Sequence, residues 1–222
     1  FGTMIDKYTI DQAIEDRAIV PLFYEARHVL QDVNSNIDKW FNRITKNLTE
    51  LQKIDLKKKY NRKNILSTSE NILEMFAWDI NEHFNKNIKP KGFKGQVVAP
   101  NRESAIKLKN YFDSLNDINT EVVITLGDGM EEDGEVATYG SNSNNLNHFR
   151  KKMIELYGNE DNYNAQVIKK FKEDDNVDIV IVVSKLLTGF DEPKNAVIYL
   201  CRRLVGHNLL QAIARVNRLY DS

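Results

Sequence analysis

The chain has 222 residues, 41% of them hydrophobic and 28% charged, which suits one large globular domain or one domain with a helical appendage. A formal net charge of −1 excludes a wholesale basic surface for nucleic acid and leaves only local patches. A single cysteine, Cys201, excludes an internal disulfide, and no apolar run approaches the roughly 18 residues of a membrane span. With no signal-peptide pattern either, the composition predicts a soluble protein of a reducing cytoplasm, with Cys201 as a small core residue.

Residues 1–16 mix turn and short-helix signals, with Thr9 and Asp11 as caps ahead of Gln12-Ala13-Ile14-Glu15. Ala18 to Glu25 reads as a strand, pushed toward a sheet edge by Pro21. Arg17 and Arg27 could touch phosphate, although isolated arginines in a connector are more often surface pairs. From Gln31 to Asn87 the signals are helical. Ile37, Trp40, Phe41, Ile44 and Leu48 recur at intervals of three and four, and a second stripe, Ile72, Leu73, Phe76, Ile80 and Phe84, follows a cap at Ser67, Thr68 or Ser69. These aromatic positions fit a core better than a base-stacking platform. The basic run at 57–63 suits phosphate contact, and a solvated lysine-rich loop fits it equally well. Pro90, Gly92 and Gly95 mark the passage into an α/β portion.

There the elements alternate. A strand at Gln96–Ala99 meets the polar turn Pro100-Asn101-Arg102-Glu103-Ser104, and a helix runs from about Ser104 to Leu115. Thr120–Leu126 is a second strand. The acidic, glycine-containing stretch Gly127–Glu135 evokes a calcium loop, but its spacing does not match the helix–loop–helix calcium pattern. It is expected to be a flexible loop, continuing as a disordered stretch through Ser141–Asn145, and no metal site is expected. Helices at Leu146–Tyr157 and Tyr163–Lys172 precede the β-branched strand Val177–Val183, and Asn195–Leu200 is the next strand. His207 reads as a packing or capping residue of the helix that follows. This order predicts a parallel α/β sheet with helices on both faces.

Ligands in open α/β sheets bind beyond the carboxyl ends of the strands. Thr188, Gly189 and Asp191 fall at that end of the Val177–Val183 strand. Gln211, Arg215 and Arg218, spaced by four and then three, are expected on one helical face. Two arginines there could grip a phosphoryl group as its charge develops, or could simply pair with carboxylates or complement a helix C-terminus.

Thr188-Gly189-Phe190-Asp191 resembles motif V of superfamily 2 helicases and translocases, and Gln211-x-x-x-Arg215-x-x-Arg218 resembles motif VI. The strings LLTGFDEP and IYLCRRLVGHNLLQAIARVNRLY are similar to the motor (R) subunit of type I restriction endonucleases. Gly95 to Arg102 fits motif IV, and IDKYTIDQAIEDRAIVPLFYEAR resembles that subunit's linker between its two motor domains. The resemblance implies a RecA-like sheet with an N-terminal helical insertion, divided as linker and edge strand (1–28), helical segment (29–90) and second RecA-like domain (91–222). It also implies roles: Arg215 and Arg218 as fingers on ATP, Gln211, Gly189 and Asp191 on the nucleotide side, and Asn101, Arg102 and Thr188 on the DNA backbone.

No G-x-x-x-x-G-K-[ST] phosphate loop, Walker-B-type segment or nuclease motif occurs in these residues. The resemblance therefore implies half of a split site for ATP and Mg²⁺, shared with an upstream motor domain, and a fragment that does not hydrolyse ATP unaided. The implied partners are double-stranded DNA, the upstream RecA-like and nuclease domains, and the methyltransferase and specificity subunits. Two other readings stay open: a different superfamily 2 DNA or RNA helicase, and a non-catalytic interaction module on a degenerate motor fold.

Overall fold

The computed structural model describes residues 9–26, 49, 70–125, 144–173, 176–187 and 189–218. The stripe at 37–48, the basic run at 57–63, the caps at 67–69, the acidic loop at 127–135 and Thr188 lie outside the described residues.

Helix α1 (Ile10–Glu15) begins in a capping box. The Thr9 hydroxyl accepts from the Gln12 amide at 3.3 Å, and the Gln12 side chain accepts from the Thr9 amide at 2.8 Å. It ends with Arg17 in the left-handed region, where Ala18 N–H reaches back to Ala13 O and Arg17 N–H to Ile14 O. Arg17 is thus a helix terminator. The strand expected at Ala18–Glu25 does not form. Pro21 lacks a donor, no strand among the described residues pairs with the segment, and Leu22, Phe23 and Tyr24 stand exposed. Without a ladder, β-favouring residues have nothing to order them.

Helix α2 (Glu70–Asn87) buries Ile72, Leu73, Ala77, Ile80 and Phe84, at spacings of three and four, and leaves Trp78 exposed. Each large side chain so buried contributes about 1.5–3 kcal/mol. A single 3₁₀ turn (Lys89–Lys91), closed by Gly92 at φ +74°, leads into strand β1 (Lys94–Val98). There follow α3 (Arg102–Leu115), β2 (Thr120–Val123), α4 (Asn144–Tyr157), α5 (Glu160–Glu173), β3 (Ile179–Val182), β4 (Asn195–Leu200) and α6 (Gly206–Val216). Asn144 and Asn145, expected in a disordered stretch, open α4 instead.

The four strands lie parallel in the order β2-β3-β1-β4. Every residue of β1 and β3 is buried, as in a sheet covered on both sides. Successive residues of β1 show the two layers. Lys94 extends its ammonium over the Phe171 ring of α5, 5.2 Å from the centroid. Gly95 faces the other way, where a Cβ would meet Phe84 of α2 at 3.3 Å, Val197 at 3.0 Å and Ile179 at 3.4 Å. Helices α2 and α3 pack together on that second side, α4 touches both α3 and α5, and α6 lies on β4. The architecture is the RecA-like α/β sheet with helices on both faces.

At the amino ends of the strands, a polar network fastens these pieces. Asp178, just ahead of β3, accepts from Lys89 Nζ at 2.9 Å and from the Asn119 amide at 2.8 Å. Asn81 of α2 donates to Asp117 at 2.8 Å, and Lys89 also donates to Asp117 O at 3.0 Å. Replacing Asp178 with alanine removes the acceptor shared by Lys89 and the exposed Asn119 amide, both of which water can then solvate. The expected loss is about 0.5–1.5 kcal/mol, read from urea unfolding.

Candidate functional site

The carboxyl ends of β1, β3 and β4 all open onto one end of the sheet because the strands are parallel. After β1 the chain turns at Pro100. Asn101 caps α3, its side-chain oxygen accepting from the Ser104 amide at 2.8 Å, and Arg102 is the first helical residue. The oxygen of Asn101 is therefore already engaged in starting the helix.

After β3, the described residues among 183–194 pass β1 and lead to the amino end of β4. This turn contains two residues with left-handed backbone, Leu186 at φ +66° and Gly189 at φ +67°. The space beside Gly189 is open, so it is the backbone angle and not crowding that favours glycine there. A non-glycine residue held in the same region, as Leu186 is, marks a segment fixed by its surroundings. The turn closes through buried Glu192, whose Oε1 accepts from the Lys194 amide and whose carbonyl accepts from the Asn195 amide, both at 3.0 Å.

Phe190 is the hub. Its ring is buried against Phe171 of α5, centroids 5.9 Å apart, and the Lys172 ammonium lies 5.5 Å from its centroid. Its backbone carbonyl receives two guanidinium groups: Arg215 Nη1 donates to it, and Arg218 Nη2 donates at 3.4 Å. Arg218 Nη1 is also ion-paired with Asp191. The Nε atoms point back along α6, Arg215 to Gln211 O at 3.4 Å and Arg218 to Ala214 O at 3.2 Å.

The common helical face expected for these residues holds for Gln211 and Arg215 but not for Arg218. Helix α6 stops at Val216 with Asn217 as its cap, and Arg218 lies just beyond. Asparagine is a weak helix former whose side chain competes for backbone partners. Arg218 nonetheless swings back to the last turn, satisfying a terminal carbonyl as it meets Asp191. The structure thus brings Gly189, Asp191, Gln211, Arg215 and Arg218 together around Phe190, whose ring lies on Phe171 near Lys94 at the start of β1. Asn101 and Arg102 instead follow the carboxyl end of that strand and are not part of the cluster. Gln211 donates through Nε2 to His207 Nε2 at 2.5 Å, which requires the imidazole proton to sit on Nδ1. Among the described residues, no group of three or more His, Cys, Asp or Glu side chains is placed to hold a metal ion.

Two contributors carried no signal in the sequence. The Phe190 carbonyl acts through backbone alone. Arg202, just past β4, donates through Nη2 to Val183 O at 3.1 Å and so ties the end of β4 to the end of β3. Its neighbour Cys201 is buried, and burial pushes its thiol up to about 12. At pH 8 the thiolate fraction is on the order of 10⁻⁴. Iodoacetamide is expected to leave the native chain unmodified and to label it once denaturant exposes the strand, as mass spectrometry would show.

The family model described as Type I restriction enzyme subunit R domain 3 matches residues 101–222. The chain belongs to that family. A second model, SWI2/SNF2 ATPase, matches residues 1–54, and the two together identify a helicase-like motor region. The chain is 30% identical over 225 residues to the putative type I restriction enzyme MjaIXP endonuclease subunit of Methanocaldococcus jannaschii, covering 99% of this chain and 20% of that protein. It is 28% identical over 230 residues to the HindI endonuclease subunit of Haemophilus influenzae, again covering 99% of this chain and 20% of the relative. A type I endonuclease subunit of Staphylococcus aureus matches over 58 residues at 40% identity, 26% of this chain and 6% of that protein. The chain spans about a fifth of the length of the relatives it matches across nearly its whole extent. No helix among the described residues is long and apolar enough to cross a membrane.

Proposed function

We propose that the chain is the second motor domain of the ATP-dependent double-stranded-DNA translocase of a type I restriction endonuclease. The observation that carries this reading is the convergence of two guanidinium groups on one oxygen acceptor in the β3–β4 connection. A phosphate oxygen presents the same acceptor chemistry with more negative charge, and guanidinium forks suit it. The residues therefore fit a nucleotide phosphate. When bound with Mg²⁺, ATP supplies the phosphoanhydride whose hydrolysis releases the free energy for movement.

In this reading Arg215 and Arg218 would hold the terminal phosphate from across a cleft, as fingers that stabilise developing charge. Gln211 would sense nucleotide on the same face. Gly189 lets the turn bring its backbone close to the nucleotide side, and Asp191 belongs to that side as well. Thr188, Asn101 and Arg102 would contact DNA phosphates, which position a duplex without reading its sequence. The phosphate loop and the magnesium ligands would come from an upstream RecA-like domain, and partner methyltransferase and specificity subunits would direct the enzyme to its sites in the cytoplasm. Residues 1–28 would form the linker, 29–90 a helical segment and 91–222 the motor domain proper.

The experiment is DNA-stimulated ATPase activity of the chain alone and mixed with the upstream motor domain. Silence alone and activity on mixing supports the split site. Activity in the isolated chain overturns it, since the phosphate-binding machinery would then be present here.

A further inference from the structure

We infer that Asp191, with the Phe190 carbonyl, is a resting-state latch on the arginine pair: it competes with phosphate for Arg218 instead of binding nucleotide itself. The inference deepens the proposed function and rests on its reading of Arg215 and Arg218 as phosphate ligands.

The donors are already engaged. Arg218 divides its N–H groups among Asp191, Phe190 O and Ala214 O, while Arg215 divides its own between Phe190 O and Gln211 O. The pair is therefore held in a phosphate-ready geometry around a surrogate acceptor. An incoming phosphate must displace the Phe190 carbonyl from both guanidinium groups and Asp191 from one.

The two surrogates differ in how readily they give way. The Phe190 carbonyl is fixed by its own buried ring, wedged against Phe171 and beneath Lys172. The Asp191 side chain is 70% exposed, whereas that of Arg218 is only 26% exposed. Water can solvate the released carboxylate, so an exposed ion pair of this kind yields readily to a doubly charged competitor. Asp191 also repels any anion approaching the same place. Its removal should favour phosphate twice over, by freeing a guanidinium and by deleting a like charge.

The test is titration calorimetry of the full chain at low ionic strength with inorganic tripolyphosphate as the probe. Asp191→Asn, which preserves shape at an exposed position, is expected to tighten binding by about fivefold. Asp191→Glu should keep the wild-type affinity. In an Arg218→Ala background the gain from Asp191→Asn should shrink to the part that deleting a like charge supplies. Unchanged or weaker binding in Asp191→Asn, while Arg218→Ala still weakens the probe, overturns the latch and leaves the arginines as phosphate ligands. A gain undiminished without Arg218 also overturns it, because the effect is then general electrostatics. If neither Arg215→Ala nor Arg218→Ala alters the affinity, or wild type and Asp191→Asn both fail to bind, the phosphate-ligand reading falls and the latch with it.

Discussion

Replacing Arg215 with alanine in the intact motor is expected to lower ATP turnover by about three orders of magnitude or more, the scale on which arginine fingers act. The structure sharpens this expectation, because Arg215 also holds the Phe190 carbonyl and its loss could act by loosening the turn. Arg215→Lys separates the two effects. Lysine keeps the charge and can donate to the carbonyl, but it lacks the planar fork that grips two phosphate oxygens. A finger predicts that Arg215→Lys stays severely impaired while the thermal midpoint of the chain barely moves. Near-normal turnover in Arg215→Ala would assign the residue to the turn alone.

Phe84→Ala is expected to destabilise the chain by about 3–5 kcal/mol, the range for deleting a fully buried aromatic ring. Phe84 occupies the hollow above Gly95, where β1 offers no side chain. Gly95→Val fills the same hollow from below and is expected to cost about 1–3 kcal/mol by overpacking. Because the two changes act on one space, the double variant should lose clearly less than the sum of the single losses. Urea unfolding of the three variants reads this directly. A cost below about 1 kcal/mol for Phe84→Ala would mean that α2 does not share the core of the sheet.

Strand β3 was legible because burial on both faces leaves an unbroken β-branched run. Strand β1 was legible only through Val97 and Val98, and its start at Lys94 and Gly95 was missed because neither residue type signals a buried strand. Strand β4 and helices α2, α3 and α5 were legible for the same kind of reason, through periodicity and flanking polar turns. The expectation at Ala18–Glu25 failed because strand propensity describes one half of a ladder, and Pro21 with exposed neighbours has no other half. At the site, spacing along one helix correctly grouped Gln211 with Arg215. It misjudged Arg218, since helix termini depend on local competition that a periodic pattern ignores. Asn101 was legible as polar and near the sheet's end. Its capping bond to Ser104 is a matter of a few tenths of an ångström and one dihedral, and the motif resemblance is silent on it. The Phe190 carbonyl was illegible in principle, because every residue carries one.

The β3–β4 connection has a mechanical consequence. It leaves the carboxyl end of β3 and enters the amino end of β4 with β1 between, so it must cross about 10 Å sideways and return about 13 Å along the sheet. Arg202, past the other end of β4, braces the point where the span leaves β3, and the Phe190 ring is pinned to α5 midway. Its twelve residues could extend to about 40 Å, so it is these fixings and not tautness that hold the span. A displacement of the Phe190 carbonyl is expected to be felt in α5 through the ring and in α6 through the arginines. In the proposed motor, occupancy of one oxygen position would thereby bias the relative placement of two helices.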